Sequence, residues 1–356
     1  MSERTDDEMS ETMTVTLPQA LAKLMKGDNL TRDEAFGAMT TIMKGEATPA
    51  QIGGTMVALR MKGETVDEIT GFAEAMRSYA NTVRTEREDL LDTCGTGGSG
   101  IHKFNISTVS AVIAAAAGAR VAKHGNRAMS GKAGSADVLE ALGVNINLTA
   151  EQAAACLEQT GITFMFAQLY HPALKHAAVP RRELGVRTIF NMLGPLANPA
   201  NADRQLIGLY DRTRTATVAE VLGRLGLKRA MVVGSHDGLD EISISAPTQV
   251  SELWNGEVTT YDITPEQLGL RTLPLSEVQG GDATENAAII RRVLSGEMSA
   301  YRDVVLANAG ACIYVSGRAQ SLADGVRVAA ETIDSGRAAS KLQQWIATTG
   351  EVSHVS

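Results

Sequence analysis

The chain has few aromatic residues, cysteines or prolines, no excess of positive charge and no long apolar run. Phe, Tyr and Trp make up 4% of its 356 residues, so a core must be built mainly from Ala, Val, Leu, Ile and Met. Cys94, Cys156 and Cys312 are few, widely spaced and odd in number, which excludes a disulfide framework or a paired zinc site and fits a reducing, cytoplasmic setting. A formal charge of −8 argues against general affinity for nucleic acid or an anionic membrane. Any basic site must therefore be local and directed at a small anion. No uncharged apolar run approaches roughly 18 residues. The leader, residues 1–14, is polar and acidic, so neither a membrane span nor a signal peptide is expected, and the leader reads as disordered.

What is present is alanine, glycine and helix-start chemistry. An apolar content of 44% in a chain of this length supports about two domains at roughly 150 residues each. From Leu17 to Ala80 the pattern is helical, with capping boxes at Thr31–Glu34, Thr48–Gln51 and Thr65–Glu68 and Pro49 at a first helical position. Residues 15–84 are read as a helical domain of structural or interfacial role, joined by residues 186–204. In the stretch from Val186 to Pro199 the pattern predicts a helix stopping at Gly194-Pro195.

Residues 88–350 alternate short apolar runs with Ala-rich helical stretches. Strands are expected at Leu90 to Thr93, Arg120 to Ala122, Thr163 to Ala167 and Ala230 to Val233. Helices are expected at Thr108 to Ala117, Ala133 to Leu142 and Glu151 to Gln159. Ser251 to Ile263 reads as antiparallel additions, and Asp282 to Gly350 returns to helices. The class is α/β: a small N-terminal helical domain plus a larger domain with a mainly parallel central sheet, its ligand site beyond the carboxyl ends of the strands.

Four clusters carry the chemistry. In the first, Asp92 to Ser110, Gly95, Gly97, Gly98 and Gly100 allow a turn of positive φ that gathers backbone N–H donors around an anion, and Asn105, Ile106, Ser107 and Thr108 open a helix. The literal GxGxxG match lacks the acidic residue that closes the second strand of a nicotinamide site, since that strand ends in Lys123-His124. No Gly-Lys-Ser/Thr follows, so it is not a Walker A loop. In the second, Lys123 to Ser135, cations, serines and glycines crowd one loop, which suits a phosphate or a solvated basic surface. The third, His171 to Arg187, contains Arg181 and Arg182, either able to grip a carboxylate or to pair with Glu183. The fourth places Asp240-Glu241 beyond a strand, as Mg²⁺ ligands or as an ordinary acidic loop. His124, His171, His176 and His236 show no zinc spacing.

In this order the stretches GTGG with FNIST, KHGNRAMSGKAGSADVLEALG, the HPA-to-ELGVRTIFNMLGPLANP block and GLDEIS resemble the anthranilate phosphoribosyltransferase family, from about Leu17 to Ile346. The resemblance implies a homodimer contacting through its helices and Mg²⁺-dependent transfer of phosphoribose from phosphoribosyl pyrophosphate to the amine of anthranilate, a step of tryptophan biosynthesis. By position it implies that Gly95, Gly98, Ser99, Lys103, Asn105, Ile106, Ser107, Thr108, Lys123, His124, Gly125, Asn126, Arg127, Ala128, Met129, Ser130, Gly131 and Ser135 hold phosphoribosyl pyrophosphate. Gly95, Asn126 and Arg181 would contact anthranilate, and Ser107, Asp240 and Glu241 the metal. No general base is implied. Two positions depart from the family pattern: Ser99 stands where GTGGD has its acid, and Lys103 where Ser or Thr is usual. The rival readings are a nucleoside phosphorylase and a silent relative that binds nucleic acid.

Overall fold

The computed structural model describes residues 15–85, 88–98, 100–128 and 132–353. The expectations for the leader and for Ser99, Met129, Ser130 and Gly131 lie outside these residues.

Four helices come first: α1 (Leu17–Met25), α2 (Arg32–Met43), α3 (Pro49–Lys62) and α4 (Val66–Ser78). The three expected capping boxes open α2, α3 and α4, each with its threonine hydroxyl accepting from the backbone N–H three residues on. Glu68 does more than cap. Its fully buried carboxylate pairs with Lys62 at 2.9 Å and accepts from the N–H groups of Leu30 (2.9 Å) and Thr65 (2.8 Å), fixing the loop before α2.

The second unit is a seven-stranded sheet. Its strands are β1 (Leu90–Gly95), β2 (Arg120–Gly125), β3 (Ile162–Phe166), β4 (Arg204–Gly208), β5 (Arg229–Ser235), β6 (Thr248–Trp254) and β7 (Glu257–Ile263), in the order β3-β2-β1-β4-β5-β6-β7. The first five run parallel and the last two antiparallel. Strand β4, between β1 and β5, has no counterpart in the expected strand set. Only Leu206 and Ile207 give it an apolar run. Gln205 is buried but polar, donating to the Pro195 carbonyl (2.6 Å) and the Asp92 carboxylate (3.1 Å).

Further helices are α5 (Ile106–Ala116), α6 (Ser135–Leu142), α7 (Ala150–Thr160), α8 (Ala167–Tyr170), α9 (Lys175–Leu184), α10 (Phe190–Leu196), α11 (Thr215–Arg224), α12 (Ala283–Leu294), α13 (Ala300–Val315), α14 (Leu322–Asp334) and α15 (Arg337–Val352). Helix α10 runs through Gly194-Pro195 to Leu196 rather than stopping at that pair. Its seventh-residue end satisfies few backbone groups internally, and Arg77 Nε of α4 donates to the Leu196 carbonyl (2.7 Å). Two cores meet at the sheet. In β5, Met231 and Val233 face the one shared with α5 and α13, while Ala230 and Val232 face the one shared with α1–α4, α10 and α11. A parallel strand buried on both faces is a continuous apolar run, which is why Ala230 to Val233 reads as a strand from sequence.

The chain lays down β1, β2 and β3 in one direction, then returns to the far side of β1 with β4. That reversal is a topological switch point, and in open α/β sheets the crevice beyond the strand ends at such a point takes the ligand.

Candidate active site

Gly95 ends β1 beside Gly208 of β4, and Thr96 N–H donates to the Gly208 carbonyl (2.9 Å). Beyond it Gly97, Gly98 and Gly100 all take positive φ, 64°, 80° and 76°. An L side chain resists that region, so the turn depends on glycine. Arg187 stacks on the Tyr210 ring at 4.0 Å, and its guanidinium lies 3.0 Å from where a Cβ on Gly98 would stand. At Gly208 a Cβ would fall 2.0 Å from the Asp240 carbonyl oxygen, so the absence of a side chain lets the loop after β5 close over β4.

That closure brings the first and fourth clusters together. Asp240 and Glu241 are buried, at 1% and 4% exposure, and Asp240 Oδ2 lies 3.2 Å from the Cβ position of Gly95. Lys103 reaches both acids, with its Nζ 2.8 Å from Asp240 Oδ1 and 3.0 Å from Glu241 Oε1. Burial works against the ammonium, yet the two carboxylates outweigh it and hold the Lys103 pKa above its ordinary value. Burial pushes the Glu241 carboxyl upward, Lys103 pulls it back, and Asp240 adds to the rise.

Lys123, the last charged residue of β2, is 1% exposed. Its ammonium donates to the Thr93 carbonyl and to Ser107 Oγ (3.3 Å), and so lies beneath the first turn of α5. Asp92 nearby is fully buried and accepts from His124 N–H (3.1 Å). Burial raises its pKa, and the Lys123 charge opposes the rise. Ile106 and Thr108 are buried in the first turn of α5, and Thr108 Oγ1 has no hydrogen-bond partner among the described residues. Asn105 ties the turn to the second cluster, its Nδ2 donating to the Ala133 carbonyl (3.2 Å) while its Oδ1 accepts from Asn286 Nδ2 (3.0 Å).

Within the second cluster, Gly125 ends β2 and Asn126 follows. The Asn126 carbonyl accepts from Ser135 Oγ (3.2 Å) at the start of α6. Arg127 is bound to Asp137 (2.8 Å) and Glu140 (2.5 Å), and Ala128 N–H donates to Asp137 Oδ2 (3.1 Å). His124 and His171 face each other with ring centroids 5.0 Å apart. His124 Nδ1–H points at the Gly194 carbonyl (3.1 Å) and His171 Nε2–H at that of Ala197 (2.9 Å), which leaves His124 Nε2 buried with no hydrogen-bond partner among the described residues. Burial lowers both pKa values, to about 3 for His124 and about 4 for His171, so both rings are neutral near pH 7.

Arg181 lies apart. It sits on α9, which packs against α3, with its guanidinium over the Phe190 ring of α10 at 5.3 Å. Among the described residues it makes no ion pair, Glu183 included, and burial draws its pKa down. No described contact joins Arg181 to the glycine loop or to Asn126. Three residues that hold the site have no role in the sequence reading: Gln205, Asn286 and Arg187. Asn286 stands inside the helix behind the Asp282–Glu285 box, where nothing in its spacing marks it. Arg187 closes the basic stretch of the third cluster and is the most recoverable of the three.

Among the described residues no group of three or more His, Cys, Asp or Glu is placed to hold a metal ion. The carboxylate pair fits a divalent cation poorly, because an ion between Asp240 and Glu241 would meet the Lys103 ammonium at contact distance. Ser107 Oγ likewise already faces Lys123. No helix among the described residues is long and apolar enough to cross a membrane.

Residues 87–339 match the glycosyl transferase family a/b domain, and residues 18–80 the helical bundle domain of the same family. The anthranilate phosphoribosyltransferase of Brevibacillus brevis is 54% identical over 96% of this chain and 100% of its own length. That of Thioalkalivibrio sulfidiphilus is 53% identical over 94% and 98%. Among solved structures, the Thermus thermophilus anthranilate phosphoribosyltransferase superposes with a TM-score of 0.89 at 44% identity, covering 93% of this chain and 99% of that one. The Saccharomyces cerevisiae enzyme in complex with PRPP and Mg gives 0.87 at 25% identity, covering 94% and 98%. With a helical bundle beside a mostly parallel sheet and half its residues shared over nearly its full length, the chain belongs to the anthranilate phosphoribosyltransferase family of glycosyl transferases.

Proposed function

We propose that this chain transfers phosphoribose from phosphoribosyl pyrophosphate to the amine of anthranilate, giving N-(5-phosphoribosyl)anthranilate and pyrophosphate, the second step of tryptophan biosynthesis from chorismate. The observation that carries this reading is the meeting, at the switch point, of a positive-φ glycine turn, the start of α5 and two lysine ammonium groups. Displacement at the anomeric carbon builds negative charge on the departing diphosphate. Backbone donors and fixed cations aimed at that charge lower the barrier without reorganising during the step. In this reading Gly95, Gly98, Ser99, Asn105, Ser107 and Thr108 hold the diphosphate, with the residues from Lys123 to Gly131 and Ser135 around the sugar phosphate. Arg127, committed to Asp137 and Glu140, contributes through its backbone and by bracing the loop.

Arg181 is the partner for the anthranilate carboxylate, since a half-buried guanidinium without an ion pair is open to an anion and can grip a carboxylate with two parallel hydrogen bonds. In this reading Asn126, just after β2, also contacts anthranilate, and the two contacts hold the weakly nucleophilic amine in line. No general base is assigned, and the amine sheds its proton after attack. Mg²⁺ belongs to this reading as an ion accompanying the diphosphate; the yeast relative was solved in complex with PRPP and Mg. We also infer a homodimer through the helical face, where Met25 and Met61 are 75% and 83% exposed on neighbouring helices. A cytoplasmic setting suits three buried, unpaired cysteines.

The decisive assay is loss of anthranilate fluorescence on mixing protein, Mg²⁺ and phosphoribosyl pyrophosphate. Consumption of uridine or thymidine with phosphate, and none of anthranilate, would establish a nucleoside phosphorylase instead. Arg181→Ala should raise the anthranilate KM about tenfold to hundredfold, the range for hydrogen bonds to a charged group, and leave that for phosphoribosyl pyrophosphate within about twofold. Equal losses for both substrates would remove Arg181 from the carboxylate site.

A further inference from the structure

The charge in the floor of the strand-end cleft comes from within the chain. Asp240 and Glu241 are both almost inaccessible, and the same ammonium group, Lys103 Nζ, sits 2.8 Å from one and 3.0 Å from the other. The lysine also donates to the Asp240 carbonyl (3.3 Å), so it holds the backbone of the acidic loop as well as its side chains.

Its position is not left to a flexible stem. The Lys103 backbone forms an isolated antiparallel bridge with Gln279, its N–H donates to the Ile101 carbonyl (3.0 Å), and the Gly280 N–H donates to the His102 carbonyl (2.9 Å). Phe104 next to it is fully buried and packs edge-on against Tyr301 at 5.1 Å. The loop after β1 is thus anchored to the segment before α12, and the side chain is delivered to the acids from a fixed base. Beyond it, the Lys123 ammonium also acts on Glu241. Lys123 is shared with the buried Asp92, so Lys103 is the one ammonium group in direct contact with both Asp240 and Glu241 among the described residues.

We propose that Lys103 is the resident counter-ion of the Asp240–Glu241 pair, so that the substrate-free protein takes no divalent cation there and any metal in the reaction arrives with the diphosphate. The inference rests on the phosphoribosyl-transfer reading for its second clause only. An ion between these carboxylates would have to displace the ammonium, and a displaced Lys103 would lose both acids and its carbonyl contact at once.

The test is a titration of the substrate-free protein with Mn²⁺ alone, read by the electron paramagnetic resonance signal of the free ion. Wild type should show no site tighter than ~1 mM, the weak end of the range for oxygen-ligand sites. Lys103→Met, which keeps the stem and removes the charge, should gain one site at least about tenfold tighter, and adding Glu241→Gln to it should abolish that site. A folded Lys103→Met protein that gains no site overturns the proposal. So does a wild-type site tighter than ~1 mM that Glu241→Gln removes, and this arm stands whether or not the methionine variant folds. No substrate is present, so the result is independent of the anthranilate assay, whose failure would refute the transferase reading and leave the counter-ion assignment in place.

Discussion

The helical unit and the strand-end cluster both use buried carboxylates, and they satisfy them over very different distances along the chain. In α2, α3 and α4 each cap closes within three residues, and even the buried Glu68 finds Lys62 six residues away. At the strand ends Lys103 reaches Glu241 across 138 positions, Gln205 reaches Asp92 across 113, and Asn286 reaches Asn105 across 181. Local closure sets the helix starts, while the buried Glu64 between α3 and α4 pairs with Arg214 across 150 positions and ties this unit to the sheet domain. Remote closure makes a site that exists only once the sheet has put its strands in order.

The sharpest way to break this contrast is to attack the scaffold and look for loss of chemistry. Glu68→Ala leaves Lys62 and two N–H groups without their carboxylate, and removing one partner of a buried pair should destabilise by about 3–5 kcal/mol. Urea unfolding should show that loss while kcat/KM per folded molecule stays within about twofold of the parent; a large fall in kcat/KM would mean that the two regions are coupled. The converse experiment is Gly208→Ala. Its Cβ would meet the Asp240 carbonyl at 2.0 Å, so the acidic loop must move. A shift of about 1 Å at a reacting centre lowers kcat/KM about a hundredfold, near 2.7 kcal/mol, and the far-ultraviolet circular dichroism of the helical unit should not change. An unaltered rate would show that the Asp240 loop does not need its present position.

A smaller effect separates the regions by pH. His124 and His171 lie between the site and α10 with folded pKa values of about 3 and about 4, below the ordinary 6.5. The unfolded chain therefore binds protons first on acidification. The stability these rings confer is complete above about pH 6.5 and is lost as pH falls through the folded values. Replacing His171 by Asn should flatten the fall in unfolding free energy between about pH 6 and pH 4.5 by about 1.4 kcal/mol per pH unit. Asp92 and Glu241, whose raised pKa values act in the opposite sense, are common to both proteins and cancel in the difference. Parallel profiles for parent and variant would mean that His171 is not held neutral by burial.

Much of the fold was legible because its signals are local. Capping boxes, the doubly buried run of β5 and the alternating text of β6 and β7 each declare an element within a dozen residues. Strand β4 was not, since Gln205 spends its side chain on Pro195 and Asp92 instead of on an apolar face. The same holds at the site. The glycine turn and the Lys123 loop could be read as anion-binding by composition, but Lys103 read as a phosphoribosyl pyrophosphate contact that departs from the family pattern, and its pairing with Asp240 and Glu241 was not legible.

By itself the sequence determined the helix starts, the glycine turn, the α/β class and the inventory of charged groups, because backbone preferences and burial periodicity act over short stretches. Only the tertiary structure decided which charge answers which. Lys103 neutralises two acids, Arg127 is committed to Asp137 and Glu140, and Arg181 makes no ion pair among the described residues. Those pairings depend on distances of a few ångströms between segments more than a hundred residues apart or on loops closing back on themselves, and electrostatic energy is set by separation in space and by burial.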